Sequence, residues 1–357
     1  MILNTIQEVD CLVGLTALPP QCVNTCVTSP PYYALRDYGI PKSRWPDINY
    51  TLFGFEVRIP AMECCLGLED SPEAFIGHMV HVFRLVHRVL KDDGTCWINI
   101  GDSFAGGGNG AANYPDSAGI KQNSNQGSSS LKGRNGETYG LKRKDLIGIP
   151  WMLAFALRED GWYLRQDIIW SKPNPMPESV QDRCTKSHEY IFLLSKSERY
   201  YYDIDAIKTS RKTDLSKQKY AWGRAIDGSI SDTRKGTGTE IRNQQTGRKP
   251  RPEIDSRGGN QAIGDIPHHE GKANKRSVWT VATRSFKEAH FATFPEELIV
   301  DCIKAGCPEE GTVLDPFGGS GTTAIVARKL NRNFIVYEIK PQYKSIGDNR
   351  LFNSLGL

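Results

Sequence analysis

The sequence predicts an α/β protein with a mostly parallel sheet and an irregular insert. The first thirty residues are typical of a strand, a helix and a strand, and the C-terminus from Thr312 repeats that order. Alternation of strands with helices is the pattern of a parallel sheet. Between residues 205 and 285 the apolar periodicity fails. We therefore predict two parts of one sheet domain, 1–204 and 286–357, separated by an insert at 205–285.

Composition limits the class of protein. A length of 357 residues corresponds to about two domains, and 39% apolar with 24% charged residues indicates a globular chain. No window approaches the roughly 20 apolar residues of a membrane span, and the N-terminus MILNTIQEVD does not resemble an export signal. The nine cysteines are odd in number and include no C-x-x-C pair. We expect a soluble cytoplasmic protein with reduced thiols and no membrane partner.

The N-terminal elements follow from local pattern. ILNTIQEVD predicts a strand, CLVGLTALP a helix and VNTCVTSPP a second strand, after which glycines and prolines from Gly39 to Gly54 indicate a long loop. Ser71 followed by Pro72 predicts a helix start, and apolar residues at helical spacing continue through Leu90, so the helix is predicted to end near Asp92-Asp93-Gly94. TCWINI then predicts a buried strand.

The later elements are equally regular outside two stretches. Residues 101–140 are rich in Gly, Asn and Ser and predict a long functional or disordered loop. GIPWMLAFALREDGW predicts a helix, and YLRQDIIWS and EYIFLLSKS predict strands. Beyond the insert, Thr293 and Glu296 form a capping-box pattern that opens the helix EELIVDCIKAG. TVLDPF, TTAIVARKL and NFIVYEI complete a strand, a helix and a strand.

Charge is concentrated in the insert. Residues 208–290 contain 18 Lys and Arg against 9 Asp and Glu, a net charge of +9, whereas the whole chain carries +4. Such a basic module is typical of a protein that binds phosphates, although a solvated loop region would have the same composition.

A glycine-rich segment predicts a cofactor site. Asp315-Pro316-Phe317-Gly318-Gly319-Ser320-Gly321-Thr322-Thr323 lies between a predicted strand and a predicted helix. Glycines let the backbone approach a ligand, and a helix N-terminus offers free N–H groups. Glu338 ends the next strand about 20 residues later, where a carboxylate can accept hydrogen bonds from ribose hydroxyls. The pattern favours an adenosine-containing cofactor over a glycine turn needed only for packing.

A double proline predicts a second part of the site. Thr28-Ser29-Pro30-Pro31-Tyr32-Tyr33 closes a buried strand, and two prolines cannot extend a strand ladder. Their rigid backbone can present carbonyl groups and the Ser29 hydroxyl to an exocyclic amine, while Tyr32 offers a surface on which a base can stack. An ordinary strand exit is the alternative.

Together these segments resemble the amino-methylating DNA methyltransferases, in the β arrangement that places the catalytic tetrapeptide before the cofactor loop. The resemblance covers nearly the whole chain. It implies a seven-stranded, mostly parallel, Rossmann-like sheet that is circularly permuted and carries a target-recognition insert. It also implies S-adenosyl-L-methionine as cofactor, double-stranded DNA as partner, a prokaryotic or phage-type enzyme and no metal, and leaves open a homodimer and a cognate restriction endonuclease. The remaining segments that carry it are VLKDDGTCWINIGDS, GIPWMLAFALREDGWYLRQDIIWSKPNPMPES, RCTKSHEYIFLLSKSERYYYD and HFATFPEELI.

The resemblance also assigns residues to the cofactor. The glycine-rich loop would line the methionine side, Glu338 would hold the ribose, Asp10 would reach the adenine, and Phe294-Pro295 would close the pocket. The residues assigned in this way are Asp10, Thr28, Phe294, Pro295, Asp315, Phe317, Gly319, Ser320, Gly321, Thr322 and Glu338.

The implied chemistry is direct transfer without a covalent enzyme intermediate. The catalytic set is Ser29, Pro30, Pro31 and Tyr32. Asn99 or Asp102 would either support Ser29 or be a solvated or capping polar residue. In this family Ser-Pro-Pro-Tyr usually accompanies cytosine N4 methylation and Asp-Pro-Pro-Tyr adenine N6 methylation, so Ser29 favours cytosine. Adenine N6 methylation and a catalytically silent DNA-binding module remain the alternatives.

DNA contacts are expected at two places. Trp170, Lys172 and Asn174 follow a strand in WSKPNP, where they would contact the flipped base or its phosphate, unless the tryptophan is simply packed. Arg248, Lys249 and Arg251 represent the basic insert. His188-Glu189 is typical of the family but is also consistent with a structural hydrogen bond.

Overall fold

The computed structural model describes residues 2–35, 37–105, 140–210, 272–283 and 294–354. Two compact units are defined by contacts within the chain, one formed by Met1–Ile207 with Arg276–Leu357 and the other by Lys208–Lys275. The strands are β1 (Thr5–Glu8), β2 (Val23–Thr28), β3 (Ser43–Trp45), β4 (Ile48–Leu52), β5 (Phe55–Ile59), β6 (Met62–Cys64), β7 (Leu90–Ile100), β8 (Tyr163–Ser171), β9 (His188–Ser195), β10 (Thr209–Ser210), β11 (Lys272–Ala273), β12 (Val278–Thr280), β13 (Thr312–Asp315) and β14 (Asn333–Glu338). The helices are α1 (Cys11–Ala17), α2 (Pro72–Val89), α3 (Ile149–Glu159), α4 (Glu296–Gly306), α5 (Thr322–Lys329) and α6 (Pro341–Asn353).

The main sheet has the order β1-β14-β13-β2-β7-β9-β8-β12. Every neighbouring pair is parallel except the two pairs made by β9, which runs against β7 and β8. The predicted mostly parallel α/β sheet is therefore confirmed. The first seven strands in this order, β1 through β8, match the predicted number. An eighth strand, β12, is added next to β8 at the edge of the sheet, and it lies within the range 205–285 that we predicted as insert.

Helices cover both faces of this sheet, so alternate strand residues are buried on opposite sides. Cys26 and Cys96 face a core shared with α1, α2 and α3, whereas Val27 and Trp97 face a core shared with α4 and α5. Strands buried on both faces have the near-continuous apolar runs seen in the sequence. No helix among the described residues is long and apolar enough to traverse a bilayer. All nine cysteines are free thiols.

Helix starts agree with prediction in one case and differ in another. The Ser71 hydroxyl accepts a 3.0 Å hydrogen bond from the Ala74 N–H, and Pro72 occupies the first turn of α2, as its sequence predicted. Helix α4 begins instead at Glu296 with Pro295 as its N-cap and no side-chain cap. The predicted capping box is therefore wrong, and its Thr293 lies outside the described residues.

The predicted long loop after β2 contains further strands. β3 pairs with β6, and β4 pairs with β5, both in antiparallel register. The β4–β5 hairpin turns at Phe53-Gly54, where both residues have positive φ, +53° and +81°. Two consecutive positive φ angles are the geometry of a tight hairpin turn. The prediction of a long loop was therefore wrong for this segment. Most of the predicted 101–140 loop lies outside the described residues.

Candidate active site

The strand order brings four predicted site segments to one edge of the sheet. β1, β14, β13 and β2 are parallel neighbours, so their carboxyl ends, followed by Asp10, Glu338, the glycine-rich loop and Ser29, lie side by side. Parallel sheets bind ligands at this edge. A cavity of about 300 Å³ opens there. The predicted residues that line it are Asp10, Ser29, Pro30, Pro31, Tyr32, Trp170, Lys172, Phe294, Asp315, Phe317, Gly319, Ser320, Thr322 and Glu338.

Asp315 fixes the shape of the glycine-rich loop. Its carboxylate is buried and accepts hydrogen bonds from the Thr28 hydroxyl (2.6 Å), the Thr323 hydroxyl (2.7 Å) and the Phe317 N–H (3.0 Å). Burial raises the pKa of Asp315, while these three donors oppose the shift by stabilising the charged form. Thr28 is buried and does not line the cavity; its hydroxyl holds the loop through Asp315.

The loop is rich in glycine because Gly318 has no room for a side chain and Gly319 has a positive φ of +52°. A Cβ on Gly318 would lie 2.2 Å from a methyl group of Val336, whereas a Cβ on Gly319 would meet nothing within 4 Å. Gly321 has φ +77° and is the N-cap of α5. Arg350 closes the other side by donating to the Ser320 carbonyl and hydroxyl, each at 2.7 Å. The loop thus presents bare backbone to the cavity.

Glu338 joins the loop to the neighbouring strand. Its two carboxylate oxygens accept hydrogen bonds from the Gly319 N–H (2.7 Å) and the Lys340 N–H (2.8 Å). Burial raises the pKa of Glu338 to about 7, with these backbone donors acting in the opposite direction. Each carboxylate oxygen keeps a lone pair for a further donor. The carboxylate can therefore accept the two hydroxyl groups of a ribose.

Asp10 occupies the equivalent position after β1. It is the N-cap of α1 and accepts hydrogen bonds from the Leu12 N–H (2.7 Å) and the Ser43 hydroxyl (2.5 Å). Because Ser43 and Trp45 of the unpredicted strand β3 line the cavity, this strand forms part of the wall next to Asp10. No pattern in the sequence indicated this contact.

The cavity suits S-adenosyl-L-methionine. Its volume lies at the small end of ligand pockets, and its walls are mainly apolar, with Phe294, Phe317 and Tyr343 among them. The carboxyl groups of Asp10 and Glu338 offer hydrogen-bond acceptors for adenine and ribose. The absence of a Cβ at Gly319 leaves room for a ligand beside the loop.

The backbone just beyond the tetrapeptide is held by a buried, hydrogen-bonded pair of side chains, His78 and Glu69. His78 Nδ1 lies 2.8 Å from Glu69 Oε1, and Glu69 Oε2 accepts the Gly67 N–H at 2.8 Å. Gly67 in turn accepts a 2.8 Å hydrogen bond from the Ala34 N–H, just beyond Tyr32. This chain of contacts fixes the backbone that follows the two prolines.

A polar network not predicted from sequence lies on the other side of Tyr32. The Tyr32 hydroxyl donates to Glu189 Oε2 at 2.7 Å, and Lys172 Nζ forms an ion pair with Glu189 Oε1. Asn99 donates to the same carboxylate at 3.2 Å. Burial and the nearby Glu189 charge raise the pKa of Tyr32 well above its usual value, so its hydroxyl is protonated at neutral pH. The sequence signal was the pair His188-Glu189.

Two residues expected near Ser29 have other contacts. Asn99 binds Glu189 and the Tyr190 carbonyl. Asp102 accepts the N–H groups of Gly148 and Ile149, so it caps the start of α3. The capping alternative therefore describes Asp102, and Asn99 contacts Tyr32 rather than Ser29 in this network.

The predicted DNA contacts divide into three groups. Trp170 is 4% exposed and donates to the Val281 carbonyl, so it is the packed tryptophan of the alternative, although it still borders the cavity beside Lys172. Asn174 exchanges two hydrogen bonds with the backbone of Thr283. Arg248, Lys249 and Arg251 lie outside the described residues.

Known proteins are similar in sequence to this chain over almost its whole length. A family model described as DNA methylase, N6_N4_Mtase, matches residues 23–349. The type II methyltransferase M.Cfr9I from Citrobacter freundii is 40% identical over 347 residues, covering 97% of this chain and 87% of the relative. M.SmaI from Serratia marcescens is 37% identical over 342 residues, covering 96% and 88%.

Solved structures share the fold. The PvuII DNA methyltransferase, described as cytosine-N4-specific, matches with a TM-score of 0.53 at 15% identity and covers 99% of this chain and 93% of that one. TTHA0409 from Thermus thermophilus, in complex with S-adenosyl-L-methionine, matches with a TM-score of 0.50 at 19% identity and covers 98% and 93%. This chain therefore belongs to the N6_N4 DNA methylase family and is an S-adenosyl-L-methionine-dependent DNA methyltransferase.

Proposed function

We propose that this protein methylates the exocyclic N4 amine of cytosine in double-stranded DNA, at a specific site and on a base turned out of the helix. The observation that carries the proposal is the position of Ser29. It begins the tetrapeptide Ser29-Pro30-Pro31-Tyr32 and lines the same cavity as the glycine-rich loop. In the family that this chain resembles, serine at that position usually accompanies cytosine N4 methylation.

The chemistry requires an amine that can attack. The exocyclic nitrogen of cytosine is a poor nucleophile because its lone pair is delocalised into the ring. Acceptors that hold its N–H groups out of the ring plane would free that lone pair, and the Ser29 hydroxyl and the Pro30 carbonyl are acceptors of this kind. S-adenosyl-L-methionine supplies an electrophilic methyl group when bound. A new N–CH₃ bond then forms as the S–CH₃ bond breaks, and the nitrogen releases one proton to water.

The chain contributes to this reaction mainly by placement. Two prolines fix the backbone at positions 30 and 31, and Tyr32 provides an aromatic surface beside the cavity. Because the amine and the methyl group are held in line, much of the entropy cost of bringing them together no longer adds to the barrier for methyl transfer. No nucleophilic side chain is required, in contrast to methylation of a ring carbon.

Recognition of the DNA is assigned to the basic insert at 205–285 and to the region around Trp170, Lys172 and Asn174. The excess of Lys and Arg in 208–290 supports a phosphate-binding role. Arg248, Lys249 and Arg251 are our candidates within it. The type II methyltransferases that are similar to this chain support the further proposal of a bacterial or phage restriction-modification role in the cytoplasm, with a cognate endonuclease.

Adenine N6 methylation is the second candidate, because the family model covers both amines by name and the same acceptors could hold either. The two are separated by one experiment. The protein is incubated with unmethylated mixed-sequence DNA and isotope-labelled S-adenosyl-L-methionine, and the DNA is digested to nucleosides for mass spectrometry. Label in N4-methylcytosine supports the proposal, and label in N6-methyladenine contradicts the base assignment.

A further inference from the structure

We propose that Glu189 is a positioning residue for methyl transfer, which acts by holding the hydroxyl of Tyr32 and thereby the tetrapeptide that faces the target base. The inference rests on the proposed function and adds a residue to it. Glu189 lies in β9, which runs antiparallel to both of its neighbours, and 157 positions after Tyr32 in the chain.

The contacts converge on one carboxylate. Tyr32 donates to Oε2 from the tetrapeptide, Lys172 pairs with Oε1 from the loop that follows β8, and Asn99 donates to Oε2 from β7. Both oxygens are thus engaged, and the ammonium of Lys172 compensates the charge. A carboxylate with this many donors has a fixed orientation.

Tyr32 is also confined from a second direction. A Cβ on Gly101 would lie 2.7 Å from Tyr32 Cε2, so the ring packs directly against the backbone at the end of β7. The same Cβ would lie 3.5 Å from Glu189 Cγ. The ring is therefore held between a backbone surface that fixes its plane and a carboxylate that fixes its hydroxyl.

The residues of this network line the cavity, so their positions affect the site where the base would bind. Tyr32, Asn99, Lys172 and Glu189 all border it, beside Ser29 and Pro30. Rotation of the Tyr32 ring would move the surface that it presents to a base in the cavity. A misplacement of about 1 Å in such a group can lower a rate roughly 100-fold.

The test is a double-mutant cycle on Glu189→Gln and Tyr32→Phe, with single-turnover methyl transfer to unmethylated plasmid DNA as the rate and calorimetric binding of S-adenosyl-L-methionine as the second readout. We expect each single change to lower the rate constant by about 100-fold. The double variant should be no more than about threefold slower than either one, because both changes remove the same contact. Cofactor affinity should stay within about twofold of wild type.

Asp160→Asn is the matched control. Asp160 is 13% exposed and pairs with Arg84 outside the cavity, while Glu189 is 16% exposed in its pair with Lys172. The control removes an equally shielded carboxylate charge and should leave the rate unchanged. Gly101→Ala, which pushes against the Tyr32 ring, should lower the rate while leaving cofactor affinity intact.

Three results would overturn the inference. They are a wild-type rate in Tyr32→Phe, additive losses in the double variant, or loss of cofactor binding in parallel with activity. If Glu189→Gln does not fold, Glu189→Asp takes its place in the cycle, because it keeps the charge that pairs with Lys172 and shortens the reach to the Tyr32 hydroxyl. Label in adenine in the wild type would refute the cytosine assignment and leave this inference standing, whereas no methyl transfer to DNA by the wild type would overturn both.

Discussion

The Thr28 hydroxyl donates a 2.6 Å hydrogen bond to the carboxylate of Asp315, across 287 positions of sequence. Thr28 immediately precedes Ser29 of the tetrapeptide, and Asp315 opens the glycine-rich loop. The bond therefore couples the two segments that must meet for methyl transfer. Because β2 and β13 are adjacent parallel strands, both residues arrive at the same edge of the sheet.

Thr28→Val should weaken this junction. Valine has the shape of threonine but no hydroxyl, so the buried Asp315 carboxylate would lose one of its three donors. We expect the free energy of unfolding to fall by about 2 kcal/mol, the usual contribution of a hydrogen bond to a charged group. Urea denaturation measures it, with Thr51→Val in the β4–β5 hairpin as control. A loss no larger than that of the control would show that the bond is not a structural link.

Ser29→Ala should separate chemistry from cofactor binding. Removal of the hydroxyl takes away one acceptor for the target amine, and we expect a loss of about 100-fold or more in the rate of methyl transfer. Cofactor affinity should not change, because the contacts of Asp315 and Glu338 remain. Single-turnover kinetics and calorimetry measure the two quantities. Unchanged turnover would remove Ser29 from the mechanism.

Cofactor binding should depend on pH through Glu338. Its pKa of about 7 is raised by burial, so the carboxylate takes up a proton as the pH falls below 7 and loses acceptor capacity for the ribose. We expect the Kd of S-adenosyl-L-methionine to rise about tenfold between pH 8 and pH 6. Glu338→Gln should bind more weakly and without this dependence. A wild-type Kd that is constant over the range would contradict the assignment.

The same shift has a consequence for stability with a definite sign. A carboxyl group whose folded pKa lies above its unfolded value of 4.5 binds its proton more tightly in the folded state. The contribution of Glu338 to the free energy of unfolding therefore falls as the pH rises from about 4.5 to about 7. In Glu338→Gln this part of the pH dependence should disappear, which thermal denaturation at several pH values would measure.

Charge reversal in the insert should change how DNA binding responds to salt. If Arg248, Lys249 and Arg251 each neutralise a phosphate, replacing all three by Glu removes three released counterions. The slope of log affinity against log salt concentration should flatten by about 2 to 3, together with weaker binding. Fluorescence anisotropy of labelled duplex DNA provides the measurement. An unchanged slope would mean that these residues do not face DNA.

The fold was predictable where one segment carries a full local pattern. The run from Ser71 to Leu90 combines a cap, a proline and helical spacing, and it forms α2. The predicted end near Asp92-Asp93-Gly94 was wrong, because the helix stops at Val89 and Leu90 already begins β7. The hairpin of Tyr50 and Val57 was missed because its strands are only five residues long and lie among glycines and prolines. The signal was present as alternating apolar residues around Phe53-Gly54, yet without the tertiary packing it is weak.

The site was predictable where function depends on backbone. The sequence shows two motifs whose residues are required by the backbone, because few other residues allow those conformations. They are the glycines at 318, 319 and 321 and the prolines at 30 and 31. The contact of Glu189 with Tyr32 could not be predicted from the sequence. It requires β9 to pair with β7, although β8 lies between them in the chain. The expected support of Ser29 by Asn99 failed for the same reason. The actual partner of Asn99 is Glu189, which only the position of β9 next to β7 brings near.

The most direct test of the account is methyl transfer by wild-type protein and Ser29→Ala in parallel, with labelled S-adenosyl-L-methionine, unmethylated DNA and nucleoside mass spectrometry. We predict label in N4-methylcytosine for the wild type and none above background for the variant, while both proteins bind the cofactor equally. Label in another nucleoside, or equal labelling by the two proteins, would contradict the claim that the cavity beside Ser29 methylates cytosine.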